Sequence, residues 1–239
     1  MGRTTLVLVD LQRDFFDTRN SPIANIAKAT CIPSVRRLVA LARERRWKVV
    51  HAITEHTGNE SLPAPLRRRG ETAYCVRGTD GALVVPGLVD EATDLIVSKT
   101  HYSALSTALA LKAIEGSDCL VLGGVAVDCC LLSSAFDASR LEIVTVVPYQ
   151  AVGASEEASF VEGLQIIAKS LGRVVSMDDL LNAHDAAGVA SISDVRDAAG
   201  QWFAEQNRRL CARKGDYEEA LESKGFESAL RILENAIPL

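Results

Sequence analysis

The chain has 239 residues, 48% of them apolar, and a formal charge of −5. That length suits one α/β domain with an appendage, and an acidic balance without a basic, aromatic-interleaved stripe excludes a nucleic-acid-binding domain. No apolar run approaches the ~20 residues that a membrane span needs.

TTLVLVDL (4–11) is a continuous β-branched run, the pattern of a strand buried on both faces. It begins without the apolar core of a signal peptide. The six cysteines form no CxxC pair and no regular framework, so reduced thiols and a cytoplasmic location are expected. From about Pro22 to Arg46 the apolar residues recur at helical spacing, interrupted at Pro33. WKVVHAIT (47–54) is a second strand. A polar stretch rich in proline and glycine runs from Thr57 to Pro86, long enough to suggest a functional loop. Within it GTDG (78–81) reads as a turn, since it lacks the lysine and spacing of a phosphate loop.

DLIVSK (94–99) is the third strand, STALALKAIEG (106–116) a helix and DCLVLGG (118–124) the fourth strand. A helix from about Asp128 to Arg140, a strand LEIVTVV (141–147), a helix from Ser155 to Ser170 and a strand GRVVSM (172–177) follow. Strands alternating with helices mean βαβ units. The expected fold is a three-layer α/β/α domain with a mostly parallel central sheet over residues 1–184. A C-terminal helical extension, 185–239, carries a short closing helix before it at 178–183 and two helices within it, at about 193–213 and 216–235, divided by Lys214-Gly215-Asp216.

In an open parallel sheet ligands gather at the carboxyl ends of the strands. Asp10 ends the first strand, Lys99 ends the third, and Cys129 and Cys130 follow the fourth. Each has a plain structural explanation: a turn-forming acid, a solvated lysine, a pair of small buried thiols. Together they suit nucleophilic catalysis. A helix N-terminus and an ammonium would lower the pKa of a thiol, a carboxylate could shuttle its proton, and backbone N–H groups in the glycine-rich turn could hold an oxyanion. Spacing alone leaves open which thiol attacks.

VLVDLQRDFF (7–16), CVRGTDGALVVPGL (75–88), VSKTHYSALSTAL (97–109) and GGVAVDCCLLSSAFDA (123–138) resemble, in order, the motifs of the isochorismatase-like cysteine hydrolases, a superfamily that includes nicotinamidases and N-carbamoylsarcosine amidohydrolases. The resemblance runs from about residue 4 to residue 183. It implies an Asp10–Lys99–Cys130 triad, because Gly124, Val125 and Asp128 align the second cysteine with the nucleophile. It also implies a cis peptide between Val125 and Ala126 and an oxyanion hole made by the backbone N–H groups of Ala126 and Cys130.

A cysteine, rather than a glycine, at position 130 implies acyl transfer through a thioester. The substrate would be a small amide, ureido, carbamoyl or lactam compound. Gln12, Phe16, His56 and Tyr102 are the candidate substrate contacts, Phe15 a further wall of the pocket, and Arg67–Arg69 a candidate contact to a substrate carboxylate or neighbouring subunit. Nicotinamidases commonly hold a metal with an Asp-x-His pair and another histidine. Here ITEHTGNE (53–60) has Thr54 in place of the aspartate, so no metal and no cofactor are expected. A nicotinamidase- or pyrazinamidase-type amidase, or a non-catalytic binding protein on the same fold, are the alternatives. Family habit suggests a homo-oligomer, a dimer or tetramer.

Overall fold

The computed structural model describes residues 3–19 and 21–238. Seven strands form one sheet: β1 (Thr4–Val9), β2 (Lys48–Thr54), β3 (Leu95–Lys99), β4 (Cys119–Val125), β5 (Val144–Pro148), β6 (Val152–Gly153) and β7 (Arg173–Val175). The order is β3-β2-β1-β4-β5-β7, with the short β6 paired to the end of β4. Every pairing is parallel. This is the expected α/β/α architecture. The helices are α1 (Ile32–Glu44), α2 (Ala64–Arg68), α3 (Ala108–Ala113), α4 (Leu132–Arg140), α5 (Glu157–Ile166), α6 (Met177–Asn182), α7 (Gln201–Ala212), α8 (Lys214–Ser223) and α9 (Phe226–Ala236).

The alternation of side chains along the central strands builds two cores, one on each face of the sheet. Leu6 and Leu8 of β1, with Val121 of β4, pack with α1, α8 and α9. Val7 and Val9, with Leu120 and Leu122, pack with α3, α4 and α5. Central strands lined on both sides in this way have to be apolar throughout, which is why TTLVLV carries no polar alternation.

The helical run expected from Pro22 to Arg46 is a 3-10 turn, Ile26–Cys31, flowing into α1. Pro33 sits in the first turn of α1, where its missing N–H costs nothing. The helix expected over 216–235 is two helices. Gly225 breaks it with φ of 83°, a left-handed conformation that favours glycine. The expected turn at Lys214-Gly215-Asp216 falls one residue earlier, at Arg213. There the guanidinium pairs with Asp216 at 2.6 Å and secures the first turn of α8 across Gly215.

The extension takes part in both cores. Phe203 of α7 stacks on Phe160 of α5 with ring centroids 4.3 Å apart. On the other face Tyr217 is fully buried and donates its hydroxyl to the Phe16 carbonyl. Arg36 of α1 binds Glu234 of α9 at 2.7 Å. No described helix is long and apolar enough to cross a membrane.

Candidate active site

The carboxyl ends of three neighbouring strands converge on one buried cluster. Asp10 follows β1 directly, its N–H held by the Ala52 carbonyl of β2 at 2.9 Å. Its φ of 54° is left-handed, which aspartate tolerates better than most residues. Lys99, the last residue of β3, places Nζ 2.8 Å from Asp10 Oδ2 and 3.8 Å from Cys130 Sγ. Thr54, the last residue of β2, completes the arrangement. Its hydroxyl donates to Asp10 Oδ1 at 2.9 Å and accepts from Lys99 Nζ at 2.8 Å. Asp10 is 0% exposed, Lys99 3% and Cys130 7%. These distances bring Asp10, Lys99 and Cys130 together.

Cys130 lies in a wide helical turn, Val127–Leu131, between β4 and α4. Before it, the Val125–Ala126 peptide is cis. Gly124 has φ of 112°, and a side chain on it would run into the backbone of Val9. Glycine is therefore needed where β4 turns up toward the thiol. The Ala126 carbonyl accepts from both Cys129 and Leu131 N–H at 3.1 Å, which curls the chain around the following residues. Ser134 anchors the turn from above, donating to the Cys130 carbonyl at 2.6 Å and accepting from Ala104 N–H at 2.8 Å.

The electrostatics differ from the expected lowered thiol. The adjoining Cys129 thiol, burial and the Asp10 carboxylate push the Cys130 pKa well above the ordinary cysteine value, and Lys99 only partly opposes them. The cation is already spoken for: Asp10 neutralises it, so little field remains to ionise the thiol. Burial pulls the Lys99 ammonium down, but Asp10, together with the Cys130 and Cys129 sulfurs, outweighs this and the net direction is up. Cys129, half buried, is drawn down by the Cys130 thiol beside it. The resting arrangement is an ion pair next to a neutral Cys130 thiol, so attack has to be coupled to proton removal.

The candidate substrate contacts separate into two groups. Gln12 is fully buried and serves as a clamp, donating to the Thr54 and Ala82 carbonyls at 2.8 and 2.9 Å and accepting from Thr54 N–H. Phe16 is also fully buried, in the core beneath the C-terminal extension, and does not line the site. Phe15, buried in the same core, is the one that meets Tyr74, edge to face at 5.9 Å.

Tyr74 in turn meets the His56 ring at 5.1 Å. His56 is buried, with Nδ1 3.2 Å from Ser61 Oγ and no partner for Nε2 among the described residues. Tyr102 is 37% exposed. Burial raises its phenol pKa, as do the nearby Cys129 and Cys130 thiols. Arg67 and Arg68 end α2 and Arg69 follows it, all exposed; Arg69 is near enough to Tyr102 to oppose that shift.

Thr54 and Tyr74 were not expected at the site. Thr54 was visible only as a residue unsuited to metal binding, and Tyr74 lies in the long loop. That loop is strapped across the strand ends by Gln12–Val84 and His56–Val76 bridges. A nicotinamidase-type metal does not fit the residues present. The Thr54 hydroxyl is committed to Asp10 and Lys99, and no group of three histidine, cysteine, aspartate or glutamate side chains gathers near His56 among the described residues.

The Isochorismatase domain family matches residues 4–179. A protein described as "Probable inactive nicotinamidase" from Arabidopsis thaliana is 31% identical over 163 residues, covering 64% of this chain and 83% of that protein. An isochorismatase family protein from Desulfovibrio vulgaris aligns with a TM-score of 0.68 at 24% identity, over 75% of this chain and 97% of its own. N-carbamoylsarcosine amidase from Thermoplasma acidophilum aligns with a TM-score of 0.60 at 22% identity, over 74% and 97%. At these identities the two structural likenesses carry the fold.

Proposed function

Because the chain belongs to the Isochorismatase domain family, whose members are generally hydrolases and amidases, we propose that it is a cysteine hydrolase cutting a C–N bond of a small amide, ureido, carbamoyl or lactam compound. One observation carries this reading: Lys99 Nζ sits 2.8 Å from Asp10 and 3.8 Å from Cys130 Sγ, with all three side chains buried. The alternative, a binding protein without chemistry, has the "Probable inactive nicotinamidase" relative in its favour. Against it, this chain keeps an acid, a cation and a thiol in contact, with a hydroxyl bracing the first two.

Asp10 takes the proton of the Cys130 thiol as sulfur attacks the carbonyl carbon. The oxyanion that forms faces the Ala126 and Cys130 N–H groups at the turn. Collapse breaks the C–N bond, and the leaving ammonia or amine receives the proton from Asp10. Water, deprotonated by the same carboxylate, then splits the thioester and restores the thiol. Lys99 orients the Asp10 carboxyl through its 2.8 Å hydrogen bond while the proton comes and goes. Because Cys130 is held as a neutral thiol, the carboxylate is needed as base.

The test is ammonia or amine release from a panel of primary amides, N-carbamoyl compounds, ureas and lactams. Cys130→Ala should lower kcat/KM at least about 10³-fold, while Cys129→Ala retains most of it. Equal losses, or loss from Cys129→Ala alone, would overturn the assignment. The exposed Leu95 and Ile96 of edge strand β3, with Leu109 and Leu111 of α3, offer an apolar surface for the homo-oligomer we propose.

A further inference from the structure

A second lysine is buried beside the strand end that leads to the thiols, and the triad does not use it. Lys28 is 6% exposed, in the turn Ile26–Cys31. Its Nζ donates to the Ile23 carbonyl and stands 5.7 Å from the centre of the Phe15 ring. An ammonium has three donors, so one carbonyl and one ring face leave it short of partners. Among the described residues no carboxylate comes within ion-pair distance, in contrast to Lys99 with Asp10. A buried cation without a counter-ion is costly, and sequence offers no hint of it because IAKATC reads as ordinary helix.

The turn that carries Lys28 is built against β6 and the end of β4, the strand that runs into the nucleophile turn. Its carbonyl lies over Gly153, where a Cβ would come within 2.5 Å of the Lys28 oxygen. Gly153 pairs with Val125, the first residue of the cis peptide. On the other side, Phe15, Tyr74 and His56 form a continuous aromatic strip leading away from Lys28. Burial lowers the Lys28 pKa, and the charges of Asp128, then Cys130 and Cys129, oppose this. Helix α7 of the extension packs on the same turn and holds it in place.

We propose that Lys28 is the anion receptor of this site: the compound whose C–N bond is cut carries a carboxylate, which the Lys28 ammonium takes up as its counter-ion. The proposal rests on the hydrolase reading for the word "cut" but not for the receptor itself, and its test separates the two.

Iodoacetate and iodoacetamide alkylate a thiolate by the same step. Sulfur forms a bond to the methylene carbon, iodide leaves, and the thiol proton passes to buffer; only the reagent's charge differs. Rates at Cys129 and Cys130 are read by peptide mapping and referred to glutathione. The iodoacetate-to-iodoacetamide ratio should exceed that of glutathione and fall at least about fivefold in Lys28→Met, with Lys28→Arg retaining it. In parallel, N-carbamoylglycine is compared with neutral N-carbamoylglycinamide, within a panel of acid and neutral pairs. Lys28→Met should raise KM for the acids at least about tenfold and leave the neutral partners within about threefold.

A ratio unchanged by Lys28→Met, labelling of neither thiol by either reagent, or equal losses on acids and neutral partners overturns the receptor. A ratio that follows Lys28 while no C–N compound is turned over upholds the receptor and overturns the hydrolase. Turnover with a flat ratio does the reverse. Lys28→Arg keeps these outcomes readable if Lys28→Met folds poorly.

Discussion

At the carboxyl edge of the sheet, Asp10, Thr54 and Lys99 are joined by mutual hydrogen bonds out of reach of solvent. At the amino edge of the same strands, a cavity of about 850 Å³ is lined by Arg3, Arg45, Lys48, Glu115 and Asp185, among others. There Lys48 is exposed and donates to the Ala113 carbonyl, and Arg3 N–H binds the exposed Asp118. Both edges are charged, and the one with this cavity is the less equipped for chemistry. Water in an open cavity screens charges and competes for every donor, whereas exclusion of water lets a single carboxylate govern its neighbours. A cavity is therefore not by itself readiness for chemistry, which here lies at the other end of the strands.

The largest effect expected from breaking this contrast is at Lys99. Lys99→Met leaves Asp10 charged and buried without its cation, which should cost about 3–5 kcal/mol of stability. Turnover should fall at least about 10³-fold. The double variant Asp10→Asn/Lys99→Met removes both charges and should recover much of the stability while staying inactive. Urea denaturation beside the ammonia assay checks both halves. Stability that stays at wild-type level in Lys99→Met would mean the pair is not held dry.

A smaller effect should appear on acidification. Burial lowers the pKa of His56 at the carboxyl edge and of His51 within β2, both below the ordinary histidine value of 6.5. The unfolded chain then binds protons more readily than the folded one once pH falls below about 6.5. The stability these histidines contribute is complete above that value and is lost as pH drops through their folded pKa values. For His51 the Asp94 carboxylate, 3.2 Å from Nε2, opposes the shift. His56 has no such partner for Nε2 among the described residues. His56→Gln should therefore flatten the decline between pH 7 and pH 5 in urea midpoints; an identical slope in the variant would exclude His56 from it.

The contrast also marks what could be read from sequence. The strands were legible because central parallel strands cannot alternate, and Asp10 and Lys99 because one follows a strand and the other ends one; Cys130, five residues past β4, was singled out from Cys129 only by the family resemblance. Phe16 was misplaced because an aromatic after a strand reads alike as core or as pocket wall, and the extension that covers it, with Tyr217 bonding its carbonyl from 201 residues away, leaves no local signal. Thr54 was readable as a strand end but not as the brace of an ion pair. The thiol pKa failed for an electrostatic reason: a nearby ammonium was visible, but its prior neutralisation by Asp10 was not. Helix α9 separates from α8 at a glycine whose positive φ no periodicity reports.

The smallest expected effect tests the amino edge. Lys48→Ala removes an exposed ammonium from the cavity wall and one bond to the Ala113 carbonyl. With the lysine itself exposed, stability should change by no more than about 0.5 kcal/mol. kcat/KM should stay within about twofold, since an exposed charge at the far end of the strands is screened over about 8–10 Å at ordinary ionic strength. A substantial loss of turnover would show that the two edges communicate through the strands, and the cavity would then belong to the function.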